Sequence, residues 1–159
     1  MADFLANCGI SSPADVIDIG ANVGEIWLYF SRHFPTTRVI AVEPSPANLA
    51  LLRTNINMNA QFWRPVIEIH QVAVSSASGT APLLALGADS FLKRAKVRGA
   101  SARTVDEVAT LRLLDLFTDL AVSTADFIKI DIEGGEVDLV KDPDFLADRS
   151  RVWLIACVD

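Results

Sequence analysis

The chain reads as a single α/β domain in which a mostly parallel sheet carries helices on both faces. Its 159 residues are enough for one domain with a core of its own. Short apolar runs alternate with segments of helical period, the βαβ pattern of parallel sheets. A glycine-bearing loop, Asp18 to Gly24, falls where one such run passes into a helix.

Each element has its own signal. Val16-Ile17-Asp18-Ile19 forms the first strand, after the turn-prone Ser11-Ser12-Pro13. After Gly24 the period changes, and Ile26, Trp27, Phe30 and Phe34 share one stripe of a helix that stops before Pro35. Arg38 to Val42 is the second strand, closed by Glu43-Pro44. Ser45 then suits a helix N-cap, with Pro46 at the first helical position. Leu49, Leu52 and Ile56 mark the buried stripe of that helix, which fades near Asn59. Val66 to Val74 reads as the third strand and Thr80 to Leu86 as a further short one. Residues 87–104 give no clear pattern. Thr104 to Leu113 is expected to return to the sheet, with a short helix from Asp115. Ala125 to Ile132 is the clearest strand; Gly134-Gly135 turns the chain into another helix, and Arg151 to Val158 supplies a last buried strand.

Composition excludes several classes. Hydrophobic residues make up 51% and charged residues 21%, values ordinary for a globular protein. No run approaches the roughly 18 apolar residues of a membrane span, and no basic and apolar leader follows Met1. A soluble, cytoplasmic chain without a membrane partner is therefore expected. Cys8 and Cys157 lie near opposite ends and form no close metal-binding pair, so both read as buried thiols. The net charge of −6 argues against nucleic acid, whose binders concentrate Lys and Arg for contact with phosphate. Lys93, Arg94, Lys96, Arg98 and Arg103 do cluster. They read either as a solvated loop or as a mobile loop that greets an anionic substrate.

Two constellations carry chemistry. The first is Asp18-Ile19-Gly20-Ala21-Asn22-Val23-Gly24, a D-x-G-x-x-x-G loop between strand and helix. Glycine permits positive φ and close approach of a ligand to the backbone, and the next helix offers free N–H groups. Glu43 ends the following strand, where a carboxylate can accept hydrogen bonds from both ribose hydroxyls of a nucleoside. A dinucleotide loop would have the pattern G-x-G-x-x-G, with its middle glycine making room for pyrophosphate; here position 22 is Asn. Asp18 would repel pyrophosphate, whereas it suits the sulfonium and amino-acid part of S-adenosylmethionine. That cofactor is expected, and an NAD-dependent oxidoreductase is the disfavoured rival.

The second constellation is Phe127-Ile128-Lys129-Ile130-Asp131-Ile132-Glu133. Alternation places Ile128, Ile130 and Ile132 on one face, under a helix, and Phe127, Lys129, Asp131 and Glu133 on the other. Unpaired buried charge is costly. Lys129 therefore either neutralises Asp131 as a structural pair, or Asp131 and Glu133 face the same crevice as Asp18 and Glu43.

In these residues the chain resembles the FkbM family of methyltransferases. The resemblance rests on Val16 to Gly24, Ala41-Val42-Glu43-Pro44, Asn48 to Asn59, Val72-Ala73-Val74-Ser75, Leu113-Leu114-Asp115 and, above all, Lys129-Ile130-Asp131-Ile132-Glu133-Gly134-Gly135-Glu136. It runs from about Val16 to Val158 and implies a Rossmann-like class I methyltransferase fold. It further implies an S-adenosylmethionine site of Asp18, Gly20, Ala21, Asn22, Gly24, Glu43, Pro44 and Asp131, with adenine close to Ala73 and Val74. Methyl transfer to an oxygen of a sugar or secondary metabolite follows from the same resemblance. Related chains continue past the fifth strand into two more, and often carry Glu where this one has Cys157. The expected domain, residues 1–159, is thus a shortened core, and the edge left by missing strands would encourage pairing between copies.

The expected mechanism is in-line attack by a small-molecule hydroxyl on the methyl carbon of the sulfonium, with positioning as the protein's main task. Asp131 or Glu133 would orient or deprotonate that hydroxyl, or would instead hold a divalent ion through oxygen. His33 and His70 are the other candidate bases. A non-catalytic module that binds the cofactor is the rival from another class.

Overall fold

Two sheets, rather than one, organise the chain. The computed structural model describes residues 2–34, 37–60, 66–86, 89–92, 103–132, 136, 139, 141–144 and 152–157. In chain order the elements are α1 (Ala2–Asn7), β1 (Asp15–Ile19), α2 (Glu25–His33), β2 (Arg38–Val42), α3 (Pro46–Asn59), β3 (Ile67–His70), β4 (Ala73–Val74), β5 (Gly79–Leu86), β6 (Asp89–Leu92), β7 (Arg103–Leu111), α4 (Leu113–Asp119), β8 (Ala125–Ile130) and β9 (Val152–Cys157). The main sheet has the order β3-β2-β1-β8-β9, and all its pairings are parallel. A second sheet runs β4-β7-β5-β6, antiparallel except where β4 lies beside β7.

Both faces of the central strands are apolar because both are covered, as parallel sheets require. Ile17, Ile19, Ile40, Val42, Ile128 and Ile130 point to one face, under Leu113, Leu116 and Phe117 of α4. Val16, Val39 and Phe127 point to the other, where Leu5 of α1 and Trp27 and Phe30 of α2 pack on them. Beside these, Leu49 and Leu52 of α3 close over Ala21 and Ala41. The expected cap on α3 is present: Ser45 accepts a hydrogen bond from the Asn48 N–H at 3.3 Å, with Pro46 at the helix start.

Several boundaries differ from the sequence reading. The expected strand from Val66 to Val74 divides: Ile67–His70 joins the main sheet, whereas Ala73–Val74 pairs with Thr110 and Leu111 in the second. The division falls at Gln71 and Val72, which lie between the two strands and belong to neither. The segment expected to return to the main sheet instead forms β7 of the second. It ends at Leu111, so α4 begins at Leu113 and Asp115 lies in its first turn. β8 stops at Ile130 rather than Ile132, because the Ile132 N–H is taken by the Glu136 carboxylate at 2.9 Å. α1 has no counterpart in the sequence reading; it ends at Asn7, and Gly9 just beyond has a φ of 83°, a common glycine stop.

Cys8 is only half-buried. The Cys157 side chain, Glu133, Gly134, Gly135 and the basic residues Lys93 to Arg98 lie outside the described residues. So does most of the helix expected after Gly135. Among the described residues, no helix is long and apolar enough to cross a membrane.

Candidate functional site

β1 sits where the chain order of the main sheet reverses, with β2 on one side and β8 on the other. Ligands of open α/β sheets bind beyond the strand C-termini at such a switch point. The D-x-G-x-x-x-G loop leaves β1 there, Glu43 follows β2, and Asp131 follows β8. The topology thus gathers three of the sequence-predicted groups at one end of adjacent strands.

The loop is tightly fixed. The N–H groups of Gly20 and Ala21 both donate to the Val42 carbonyl, at 2.9 and 3.1 Å. Gly20, Asn22 and Gly24 have φ of 79°, 47° and 93°, left-handed values that Gly tolerates freely and Asn better than most residues. Positive φ is as expected at both glycines, and each also leaves room for another part of the protein. A Cβ on Gly20 would lie 1.8 Å from the backbone oxygen of Asp131, and one on Gly24 would lie 2.3 Å from Leu52 Cδ1. Both positions therefore answer first to packing of the protein on itself. Gly24 is also the N-cap of α2 and provides no side-chain cap, so the first N–H groups of that helix have no side-chain acceptor there.

Glu43 is 4% exposed and its carboxylate is held by three donors. Oε2 accepts from the Asn22 N–H at 2.9 Å. Oε1 accepts from the Ser45 N–H at 2.9 Å and from Asn48 Nδ2 at 3.1 Å. The expected ribose acceptor is thus also a strut between the loop and the start of α3. Asn48 and Asn55, whose Nδ2 donates to the Val23 carbonyl at 2.8 Å, were not recognised as site residues. Their signal was available: both lie on the α3 segment that follows Ser45-Pro46.

Asp18 and Lys129 are register partners across β1 and β8. Asp18 is 1% exposed, and its Oδ1 lies 3.2 Å from Lys129 Nζ, without an aligned hydrogen bond to either oxygen. Burial pushes its carboxyl up to about 6; Lys129 pulls the other way, and the nearby Asp131 and Glu43 carboxylates push further. The pair expected between Lys129 and Asp131 exists at 3.4 Å, but Lys129 also donates to the Gly20 carbonyl at 2.9 Å. Among the described residues, three carboxylates, Asp18, Glu43 and Asp131, gather here with one ammonium, that of Lys129. The excess of negative charge favours a cationic ligand.

The remaining predicted residues stand as follows. Pro44 is half-buried beside Glu43. Ala73 and Val74 are buried in β4; Val74 joins the core under α4, and Ala73 packs with Leu83 and Val108 of the second sheet. His33 ends α2, its ring 4.5 Å from that of Tyr29, at the opposite end of the helix from the loop. His70 ends β3, with Nε2 3.9 Å from Glu68. No group of three or more His, Cys, Asp or Glu among the described residues is placed to hold a metal ion.

Comparison with known proteins agrees with this architecture. A family model described as Methyltransferase FkbM domain matches residues 18–157. Methyltransferase sdnD of Sordaria araneosa is 27% identical over 157 residues, covering 81% of this chain and 60% of that protein. The 31-O-demethyl-FK506 methyltransferase FkbM of Streptomyces tacrolimicus is 28% identical over 179 residues, covering 92% and 67%. Among solved structures, methyltransferase FkbM from Methylobacillus flagellatus superposes with a TM-score of 0.55 at 20% identity, over 82% of this chain and 28% of that one. The N-terminal domain of human METTL16 in complex with SAH gives a TM-score of 0.55 at 16% identity, over 98% and 50%. The chain thus spans 60% of the length of sdnD and about a quarter of the Methylobacillus chain, and these structural likenesses support the fold.

Proposed function

Since the chain belongs to the FkbM methyltransferase family, we propose that it binds S-adenosylmethionine beyond β1 and β2 and methylates a hydroxyl of a small molecule, a sugar or secondary metabolite. One observation carries this reading: the glycine loop and Glu43 are bonded to each other, Asn22 N–H to Oε2 at 2.9 Å, at the switch point of the sheet. The residues fit such a group. Its nucleoside would meet the Glu43 carboxylate just past β2, and its cationic centre an excess of carboxylates over ammonium. When bound, the cofactor supplies a methyl group made electrophilic by its sulfonium.

The chain's own residues have separable tasks in this proposal. Glu43 would receive the ribose hydroxyls while keeping the loop in place. The first N–H groups of α2 would face the amino-acid end. Asp131, 34% exposed, is the carboxylate open enough to reach an acceptor hydroxyl, which it would orient or deprotonate. Glu133 shares that assignment from its place in the sequence alone.

Calorimetric titration with S-adenosylmethionine, S-adenosylhomocysteine and NADH tests the pocket. Saturable uptake of the first two and none of NADH is expected, and the absence of uptake by a folded chain would refute the assignment. Binding without turnover on any hydroxyl acceptor would leave a non-catalytic module. Once an acceptor is found, Asp131→Asn should abolish turnover; unchanged turnover would remove Asp131 from the mechanism.

A further inference from the structure

An ammonium has three donors, and that of Lys129 has three oxygens around it. Nζ lies 2.9 Å from the Gly20 carbonyl oxygen, 3.2 Å from Asp18 Oδ1 and 3.4 Å from Asp131 Oδ2, on a side chain 13% exposed. Neutralising Lys129 needs only Asp18, its register partner. The other two contacts reach out of the sheet, one to the start of the glycine loop and one to the residue that leaves β8. Backbone contacts join the same two segments: the Asp131 N–H donates to the Ile19 carbonyl at 2.9 Å, and the Asp131 carbonyl fills the space where a Gly20 side chain would stand.

We propose that Lys129 is a positioning residue, clasping the Gly20 loop and the Asp131 carboxylate together so that the cofactor side and the acceptor side of the site move as one unit. Asp18 then acts through Lys129: with both oxygens sealed from solvent, it anchors the ammonium instead of meeting a ligand. The inference deepens the cofactor reading of the loop and rests on it for its functional meaning. The clasp itself is measurable in the ligand-free chain.

The test uses the double variant Asp18→Asn/Lys129→Met, which removes both buried charges together and so avoids stranding one of them. Residue-resolved amide exchange by NMR is compared with the unaltered chain, alongside calorimetric titration with S-adenosylhomocysteine. The folded double variant should exchange the Gly20, Ala21 and Asp131 amides about tenfold faster or more, as loss of a charge-assisted hydrogen bond implies, and bind S-adenosylhomocysteine at least about tenfold more weakly. Unaltered exchange at those amides would overturn the proposal, because Lys129 would then only neutralise Asp18. If the double variant does not fold, Lys129→Arg keeps a cation beside Asp18 on a planar head that cannot reproduce the three contacts. It should show the same loosening, and unaltered exchange would again overturn the proposal. Should the unaltered chain bind no S-adenosylhomocysteine, the cofactor reading falls, while the exchange comparison still decides the role of Lys129.

Discussion

Replacing Gly20 by alanine should unfold the junction of β1 and β8 more effectively than most substitutions in the core. The new Cβ would stand 1.8 Å from the Asp131 backbone oxygen and 2.8 Å from its carbonyl carbon. An ordinary C···O contact is about 3.3 Å, so the segments must part by roughly 1.5 Å. Parting strains or breaks two hydrogen bonds of 2.9 Å, Asp131 N–H to Ile19 and Lys129 Nζ to Gly20, and stranding a buried polar group costs about 1–3 kcal/mol. The left-handed φ of 79° adds about 1–2 kcal/mol for a residue with a Cβ. A loss of about 4 kcal/mol is expected. Gly24→Ala is the internal control. It has a similar backbone penalty at φ 93°, but its Cβ meets side-chain atoms of Leu52, the nearest being the terminal Cδ1, so about 2 kcal/mol is expected. Urea unfolding followed by circular dichroism, with unchanged m-values, measures both. A Gly20→Ala loss below about 1 kcal/mol, or below that of Gly24→Ala, would refute the packing argument.

Three further outcomes follow from the geometry. Because the Asp18 carboxyl is raised to about 6 in the folded chain, folding takes up a proton there: its contribution is fully present below about pH 4 and lost as pH rises through 6. Stability measured from pH 4 to 7 should show this loss in the unaltered chain and a flatter profile in Asp18→Asn; parallel profiles would contradict it. Glu43→Gln turns an amide group toward donors that now find a carboxylate, so it should cost about 1–3 kcal/mol in urea unfolding and weaken binding of S-adenosylmethionine in the same protein. Arg38→Met removes the Glu68 ion pair of 2.8 Å, whose side chains are 30% and 39% exposed; its cost should stay within about 1 kcal/mol, and a loss several times larger would show that Arg38 holds the β2–β3 edge.

The parallel core was legible because its strands are short, apolar on both faces and separated by helix-period segments. Ile128, Ile130 and Ile132 could be assigned to one covered face from alternation alone, and all three pack in one cluster. The grouping of Asp18, Glu43 and Asp131 was legible for a related reason: each lies at or just beyond the C-terminal end of a strand, and parallel strands bring those ends together. The second sheet was not. A strand read from periodicity carries no label for its partner, so nothing in Val66 to Val74 announces that the chain changes sheets at Val72. The same limit hid the packing purpose of Gly20, since the atom that excludes a Cβ there belongs to Asp131, just past a distant strand. Lys129 was visible as one half of a pair with Asp131. Its hydrogen bond to the Gly20 carbonyl was not, because a backbone acceptor leaves no mark in a sequence.

The order β3-β2-β1-β8-β9 also sets a timetable for assembly. β1, β2 and β3 follow one another in the chain and can pair early across α2 and α3, and β5 can close on β6 as a hairpin and then take β7 along its other edge. The central pair β1–β8 cannot, since Gly20 and the Lys129 that binds it are 109 positions apart. Closing so long a loop exacts its entropic cost before the contacts form. During synthesis β1 therefore waits with one edge unpaired until β8 has emerged. The acidic site is complete only when that wait ends, so capacity to bind ligand should be among the last properties the folding chain acquires.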